Sequence, residues 1–414
     1  MSGSGGQRHC LILRQSEPYP YGWVRQEAQA LAAAGFRVTV ICPTGLGHEA
    51  LDETVDGVRA LRYESPPGGT GVVGYLREFV VAMARMGMLV RRVSRESRVD
   101  AVVVSTPPDF LVFLALPLRR KGAGLVFDQR DPGPELFEAK FGRRGLIHRA
   151  LLAVERFAFR QADVSMPHNE SCAEIARERG GVEDDEIFIV GVGPDPRRIF
   201  PVEPRPELRR GREHLVLWIG AMSKQESLGH LIEAAEQIVH RHGRTDVGVS
   251  IVGPGDEREA IQAEVRRRGL DGVVELPGLV TDDDLLRAYM ATADVCLSVD
   301  ERNDMNDKST MMKVLEYMAM GRPVVQFPLV EMERICGDTT VYARNADPSD
   351  LANKIVELLD DPARREQLGS SARRRVLDGQ MWPDQIPMLV AAVNAAIDRA
   401  QAAPLPAQRG RGVE

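Results

Sequence analysis

Two doubly wound α/β domains followed by a terminal helix are the fold class that this sequence predicts. Short apolar runs alternate with longer amphipathic ones, the rhythm of strand–helix–strand units whose parallel sheet is covered on both faces. The rhythm runs twice, once on each side of a segment rich in proline and arginine. The chain's 414 residues also exceed one ordinary core, so two domains of roughly 150–200 residues each are expected.

In the first half the strands are HCLILRQ, FRVTVICP, DAVVVSTPP and GLVFDQRD, with a helix from about Val24 to Ala34 between the first two. The second half starts at HLVLWIGAMS and continues through a helix near Leu228 to His240, VGVSIVGPGD, a basic helix to Arg268, VVELPGL, a helix to Ala293 and VCLSVD. Each strand ends in Gly, Pro, Ser or Asp, which break regular structure. Between the halves, GVGPDPRRIFPVEPRPELRRGRE can sustain neither a helix nor a central strand. The expected layout is therefore a Rossmann-like domain over 1–195, a linker over 196–213 and a second Rossmann-like domain over 214–383. An amphipathic helix over 384–401 is expected to cross back, and 402–414 form a disordered tail. Ligands of doubly wound sheets bind outside the carboxyl ends of the strands, so two such domains facing each other would meet substrates in a central cleft.

Composition narrows the function. Hydrophobic residues at 43% and charged residues at 27% describe a globular chain, and a net charge of −7 argues against nucleic acid as the main partner. A local anion pocket remains compatible with that charge. Five scattered cysteines and the histidine spacing support neither a disulfide framework nor a metal site. The start lacks the apolar core of a signal peptide, and the longest apolar stretch of the first half, Phe79 to Val90, carries Arg85. A cytoplasmic protein is expected. RRGLIHRALLAVERFAFR, residues 143–160, suits either a helix packed on the sheet with a basic outer face or peripheral contact with an anionic membrane.

The most specific segment is DKSTMMKVLEYMAMGRPVV, residues 307–325. Ser309 and Thr310 are expected to open a helix that carries Lys313 and Glu316 and ends at Gly321. Its unpaired backbone N–H groups and positive dipole end would suit a diphosphate. Lys313 could then neutralise phosphate charge, and Glu316 could accept hydrogen bonds from sugar or ribose hydroxyls. An N-capped amphipathic helix with a Lys313–Glu316 ion pair fits the same residues. VGPG, residues 252–255, lacks the spacing of a dinucleotide fingerprint.

The 307–325 segment resembles the donor-binding motif of retaining GT-B glycosyltransferases of family 4, in particular the bacterial exopolysaccharide-type branch reading S-T-M-x-K-x-x-E-Y-M-A-x-G-x-P-V. Further similarity lies in WVRQEAQALAAAGFRVTVICP, FDQRDPGPELFEAKFG, GVGPDPRRIF, IVGPGDER and VVELPGLVTDDDLLRAYMATADVCLS. The resemblance implies the GT-B fold, a nucleoside-diphosphate-sugar donor (a UDP-sugar) in the C-terminal domain and a hydroxyl acceptor in the N-terminal one. It implies retention of anomeric configuration, with no cofactor or bound metal.

By the same resemblance Lys313, Glu316 and Asp131 are the catalytic candidates. The donor would meet Gly22, Gly220, Lys224, Gly253, the backbone of Ser309, Thr310 and Met311, and a base pocket lined by Leu279 and Val280. Substrate contacts fall to Arg130, which stands in the histidine position of the family's His-Asp element, and to Asp131, Glu135, Lys308 and Glu331. Three positions depart from the family: Lys308 replaces the first of two glutamates, and Ala221 and Glu226 replace an Arg and a Lys that face phosphate. A non-hydrolysing sugar-nucleotide epimerase and an inactive nucleotide-sugar-binding protein are the competing readings.

Overall fold

A computed structural model describes residues 7–64, 71–142 and 144–402. They group into two compact units, Met1–Val190 with Ile386–Glu414, and Gly191–Gln385.

The first unit opens with β1 (His9–Leu13), α1 (Gly22–Ala33), β2 (Arg37–Pro43), β3 (Asp52–Val55) and β4 (Val58–Tyr63). There follow α2 (Gly71–Glu96), β5 (Ala101–Thr106), α3 (Val112–Arg119), β6 (Gly124–Gln129), α4 (Gly133–Phe141), α5 (Leu146–Gln161), β7 (Val164–Pro167) and α6 (Glu170–Ile175). The seven-stranded sheet runs β3-β4-β2-β1-β5-β6-β7. Only β3 is antiparallel, paired to β4. Every residue of β1, β5, β6 and β7 is buried, which is why these segments read as unbroken apolar runs.

The second unit carries β8 (His214–Ile219), α7 (Gly229–His240), β9 (Val247–Val252), α8 (Arg258–Arg267), β10 (Val274–Gly278), α9 (Asp283–Thr292) and β11 (Val295–Ser298). It continues through α10 (Met312–Ala319), β12 (Val324–Gln326), α11 (Val330–Cys336), β13 (Val341–Tyr342), α12 (Pro348–Asp360) and α13 (Pro362–Leu377). Its six parallel strands run β10-β9-β8-β11-β12-β13, and the order reverses at β8 and β11. A last helix, α14 (Trp382–Ala402), belongs to the second unit up to Gln385 and to the first from Ile386 onward.

Segment 196–213 groups with the second unit. Its arginines bind that unit's carbonyls: Arg209 donates to Thr292 O at 3.1 Å and Arg212 to Gly272 O at 2.7 Å. The helix expected to open at Ser309 and Thr310 instead starts at Met312, with Met311 before it and no side-chain cap. Ser309 is spent on a preceding 3-10 turn, its N–H donating to Asn306 O at 3.1 Å and its hydroxyl to Met305 O at 2.9 Å. The helix does end as expected, with Gly321 at φ +70° and its N–H on Met318 O.

Gly253 shows why the β9 loop needs a residue without a side chain. It sits at φ +139°, and a Cβ there would collide with the Gly220 carbonyl at the end of β8. That loop is fixed by Gly220 N–H on Val252 O and Gly253 N–H on Gly278 O. Gly253→Ala should therefore lower unfolding stability by more than about 2 kcal/mol in urea melts followed by circular dichroism, and an unchanged midpoint would refute this packing account.

Candidate functional site

In the second unit the strand order reverses between β8 and β11, and their carboxyl ends deliver Gly220 and Asp300 to the same region. Lys313, in the first turn of α10, reaches into it. Its ammonium lies 3.1 Å from Asp300 Oδ2, pairs with the Glu226 carboxylate and sits 4.9 Å from the Trp218 ring centroid. Burial works against the charge on Lys313, but Asp300 and Glu226 outweigh it and hold its pKa above the ordinary lysine value. Burial pushes Glu226 upward, against the pull of Lys313, and Asp300 adds to the rise. Asp300 itself is buried and accepts the Ser298 hydroxyl at 2.6 Å. Behind Lys313, the Tyr317 hydroxyl accepts the Ile219 N–H at 2.7 Å and ties α10 to the end of β8.

Glu316 does not pair with Lys313. Its charged neighbours are Arg198, which bonds Asp283 at 2.7 Å, and Asp283 itself. Desolvation pushes the Glu316 carboxyl up to about 7, with Arg198 pulling it back and Asp283 adding to the rise. Lys224 is exposed on the short turn Lys224–Glu226, and Lys308 donates to Asp304 O at 2.8 Å. Ser309, Thr310 and Met311 precede α10 and are partly exposed, with Met311 N–H on the Met332 sulfur at 3.2 Å. Leu279 and Val280 follow β10, next to the Gly253 loop, and Leu279 is 61% exposed. Glu331 is buried in the first turn of α11, 3.4 Å from Arg334.

In the first unit Arg130 follows β6 and is also held between two carboxylates. Asp128 Oδ1 lies 2.7 Å away, Glu27 of α1 pairs with it, and the guanidinium stacks 4.3 Å from the Trp23 ring. The cation expected to meet a substrate anion is thus neutralised within its own unit. Asp131 is partly exposed; desolvation raises its pKa, while Arg14 and Arg130 draw it back. Gly22 opens α1, and the Glu17 carboxylate lies directly over it. Glu135, expected at substrate, is buried and bridged by both Nη atoms of Arg179 at 2.8 and 3.2 Å. His168 is neutral, its pKa lowered to about 3 by burial and by Arg130. Asn169 Oδ1 accepts Cys172 N–H, so its amide nitrogen donates to His168 Nε2 at 2.9 Å, and Nδ1–H faces Gln129 O at 3.3 Å.

Sequence reasoning missed Trp218, Asp300, Arg198, Glu27 and His168. Only a strand-end position marks Asp300 and His168, Glu27 and Arg198 lie within segments that carry the resemblance, and nothing marks Trp218. Among the described residues, Glu213, His214 and Asp246 gather ligand atoms within 4.8 Å of one another. They lie at the amino ends of β8 and β9, opposite the switch point, and Arg244 binds Asp246 at 2.8 Å.

A cation and a helix amino end at a doubly wound switch point form an anion-binding arrangement. Residues 23–193 match the glycosyl transferase 4-like domain, and residues 213–361 match the glycosyl transferases group 1 family. Glycogen synthase of Mycobacterium tuberculosis is 24% identical over 399 residues, 92% of each chain. Sucrose-phosphate synthase from Thermosynechococcus elongatus superposes with a TM-score of 0.76 at 18% identity, covering 96% of this chain and 100% of that one. Anabaena HepE in complex with UDP-glucose gives 0.69 at 16% identity, covering 95% and 100%. The fold is that of the GT-B glycosyltransferases. The chain belongs to their GT4-like family and is a glycosyltransferase.

The first unit also holds a buried acid cluster. Arg179 Nη2 lies 2.9 Å from Glu155, which also accepts Gln129 Nε2 at 3.0 Å, and Asp109 stands nearby with both carboxyl oxygens buried. Burial pushes Asp109 to about 7 and Glu155 to about 8, against the pull of Arg179. Such carboxyls keep protons in the folded state that the unfolded chain has released, so their stabilising effect is complete below about pH 4 and is lost as pH rises through about 7 to 8. Asp109→Asn should gain Tm over the wild type increasingly between pH 4 and about 7 in calorimetry and level off above that. A pH-independent difference would refute this.

Proposed function

We propose that the protein transfers a hexosyl or amino-hexosyl unit from a UDP-sugar to an acceptor hydroxyl with retention and without metal, in polysaccharide, glycolipid or natural-product glycoside synthesis. The observation that carries the reading is Lys313 at the amino end of α10, outside the β8/β11 switch point. A UDP-glucose complex of the similarly folded HepE supports the choice of donor. The Lys313 ammonium and the amino end of α10 hold the diphosphate, and Gly220 and Gly253 keep the strand-end loops low enough for close approach. Leu279 and Val280 flank the base, and Glu316 accepts hydroxyl hydrogen bonds.

In the first unit Asp131, partly exposed, is the group offered to the acceptor, while Arg130 holds Glu27 and Asp128 in place. The protein's work is orientation and electrostatic stabilisation of the departing diphosphate. The acceptor hydroxyl attacks the face from which the diphosphate leaves, its proton passing to a leaving phosphate oxygen.

A cytoplasmic enzyme touching an anionic membrane through 143–160 fits the exposed face of α5, where Arg149, Arg156 and Arg160 lie outward and Leu146 is 83% exposed at the amino end. Glu155, Ala158 and Phe159 face inward. Arg143 lies outside the described residues. Replacing the three named arginines by Glu should abolish cosedimentation with phosphatidylglycerol vesicles; equal pelleting would remove the membrane contact.

Calorimetry with UDP in chelator tests the donor site directly, since binding should persist. Lys313→Ala should weaken UDP by roughly 10–150-fold, the worth of a charged hydrogen bond of about 1.5–3 kcal/mol, and Lys308→Ala by far less. Equal losses would overturn the assignment. Glu316→Gln should lower transfer with little change in Tm, and unchanged kinetics would take Glu316 out of the site.

A further inference from the structure

Lys313 is not free to receive a diphosphate as it stands. One ammonium faces the carboxylates of Glu226 and Asp300, so the fully ionised group carries a net negative charge. A nucleoside diphosphate entering that group would be repelled unless one carboxylate yields.

Asp300 is poorly placed to yield, since its side chain is only 4% exposed and it is fixed by the Ser298 hydroxyl at the end of β11. Glu226 differs. Its side chain is 23% exposed, and it ends a three-residue turn beside Ser227 at φ +51°. It occupies the place where the resembling family carries a phosphate-facing lysine.

We propose that Glu226 takes up a proton when a nucleoside diphosphate binds, releasing Lys313 to the phosphates, so that donor binding and protonation of this side chain are one coupled event. The inference rests on the donor-site reading above. Glu226 acts through Lys313 and is a positioning residue.

The groups around Glu226 make the coupling one-sided. Lys313 approaches from α10 and Asp300 from the loop after β11, while Lys224 is exposed on Glu226's own turn. Next to Asp300, Glu301 is paired with His230 of α7. Burial and Asp300 already favour the protonated carboxyl, and only Lys313 opposes it. Diphosphate turns Lys313 away and brings more negative charge, so both changes push the proton onto Glu226. Once pH rises above the point where free Glu226 ionises, each bound nucleotide must bring one proton, and affinity falls by up to tenfold per pH unit.

The test is calorimetry of UDP binding to the full chain between pH 6.5 and 8.5, in two buffers of different ionisation enthalpy. This range lies above the phosphate's own ionisation near 6. Wild type should take up close to one proton per UDP at pH 8 and weaken steadily as pH rises. Glu226→Gln should take up none, bind with flat affinity and be at least tenfold tighter than wild type at pH 8. Glu226→Asp, which keeps a carboxyl, should restore the slope. UDP binding without proton uptake in wild type, or an equal slope in the Gln variant, overturns the role of Glu226 while leaving the donor site standing. No UDP binding by any variant at any pH overturns the donor site and this inference together.

Discussion

A cation held between two carboxylates at the end of a buried strand is the interaction on which both units depend. Arg130 stands between Glu27 and Asp128 in the first, and Lys313 between Glu226 and Asp300 in the second. Taking such charges out of water costs several kcal/mol per ion, and mutual attraction offsets that only with good geometry and further hydrogen bonds. The units meet the requirement in the same way. Each lays an aromatic ring beside its cation, Trp23 or Trp218, and draws its acids from different elements that the cation then ties together. An ion triad of this kind fixes loops that the sheet alone would leave loose, which is the condition a site at strand ends must satisfy.

The strands were legible because burial on both faces leaves no room for polar residues. AVVVST and VGVSIV could hardly be read otherwise, and both are wholly buried. The antiparallel edge strand β3 was missed because DETV is polar and half exposed. The turn Asp56–Gly57 beside it, with φ of +51° and +78°, carries a hairpin signal that an expectation of alternating strand and helix passes over. The start of α10 was misplaced for a different reason. Ser309 looks like an N-cap by type, but the 3-10 turn before it claims both its N–H and its hydroxyl. Competition between two local structures for one residue does not show in residue type.

The site was legible only where one motif holds the residues together. Lys313 and Glu316 could be singled out because they share a helix, yet their spacing suggested a pair that tertiary charges dissolve. Lys313 turns to Glu226, 87 residues away in sequence, and Glu316 lies near Arg198 and Asp283. An i,i+3 pair on a helix gives only about 0.2–0.5 kcal/mol, too little to compete with a partner that would otherwise be left charged and buried. Arg130 and Glu135 were given as ligand contacts by the family resemblance. What a charged residue does depends on the opposing charge: Asp128 is two residues from Arg130, but Glu27, its other partner, and Arg179, which binds Glu135, come from distant segments.

Desolvation has separate consequences in the two units. Around Asp109 and Glu155 it raises carboxyl pKa values inside a closed cluster, where Arg179 is already divided between Glu135 and Glu155. There the extra protons enter only the free energy of folding. Around Glu226 the same effect operates at a partly exposed turn beside the lysine proposed to take the phosphate, and there the proposed exchange of a proton for a ligand unfolds nothing. Exposure of the titrating group separates the cases. A buried acid whose counter-ion is equally buried makes stability depend on pH, whereas one whose counter-ion can be drawn off from solvent makes binding depend on it.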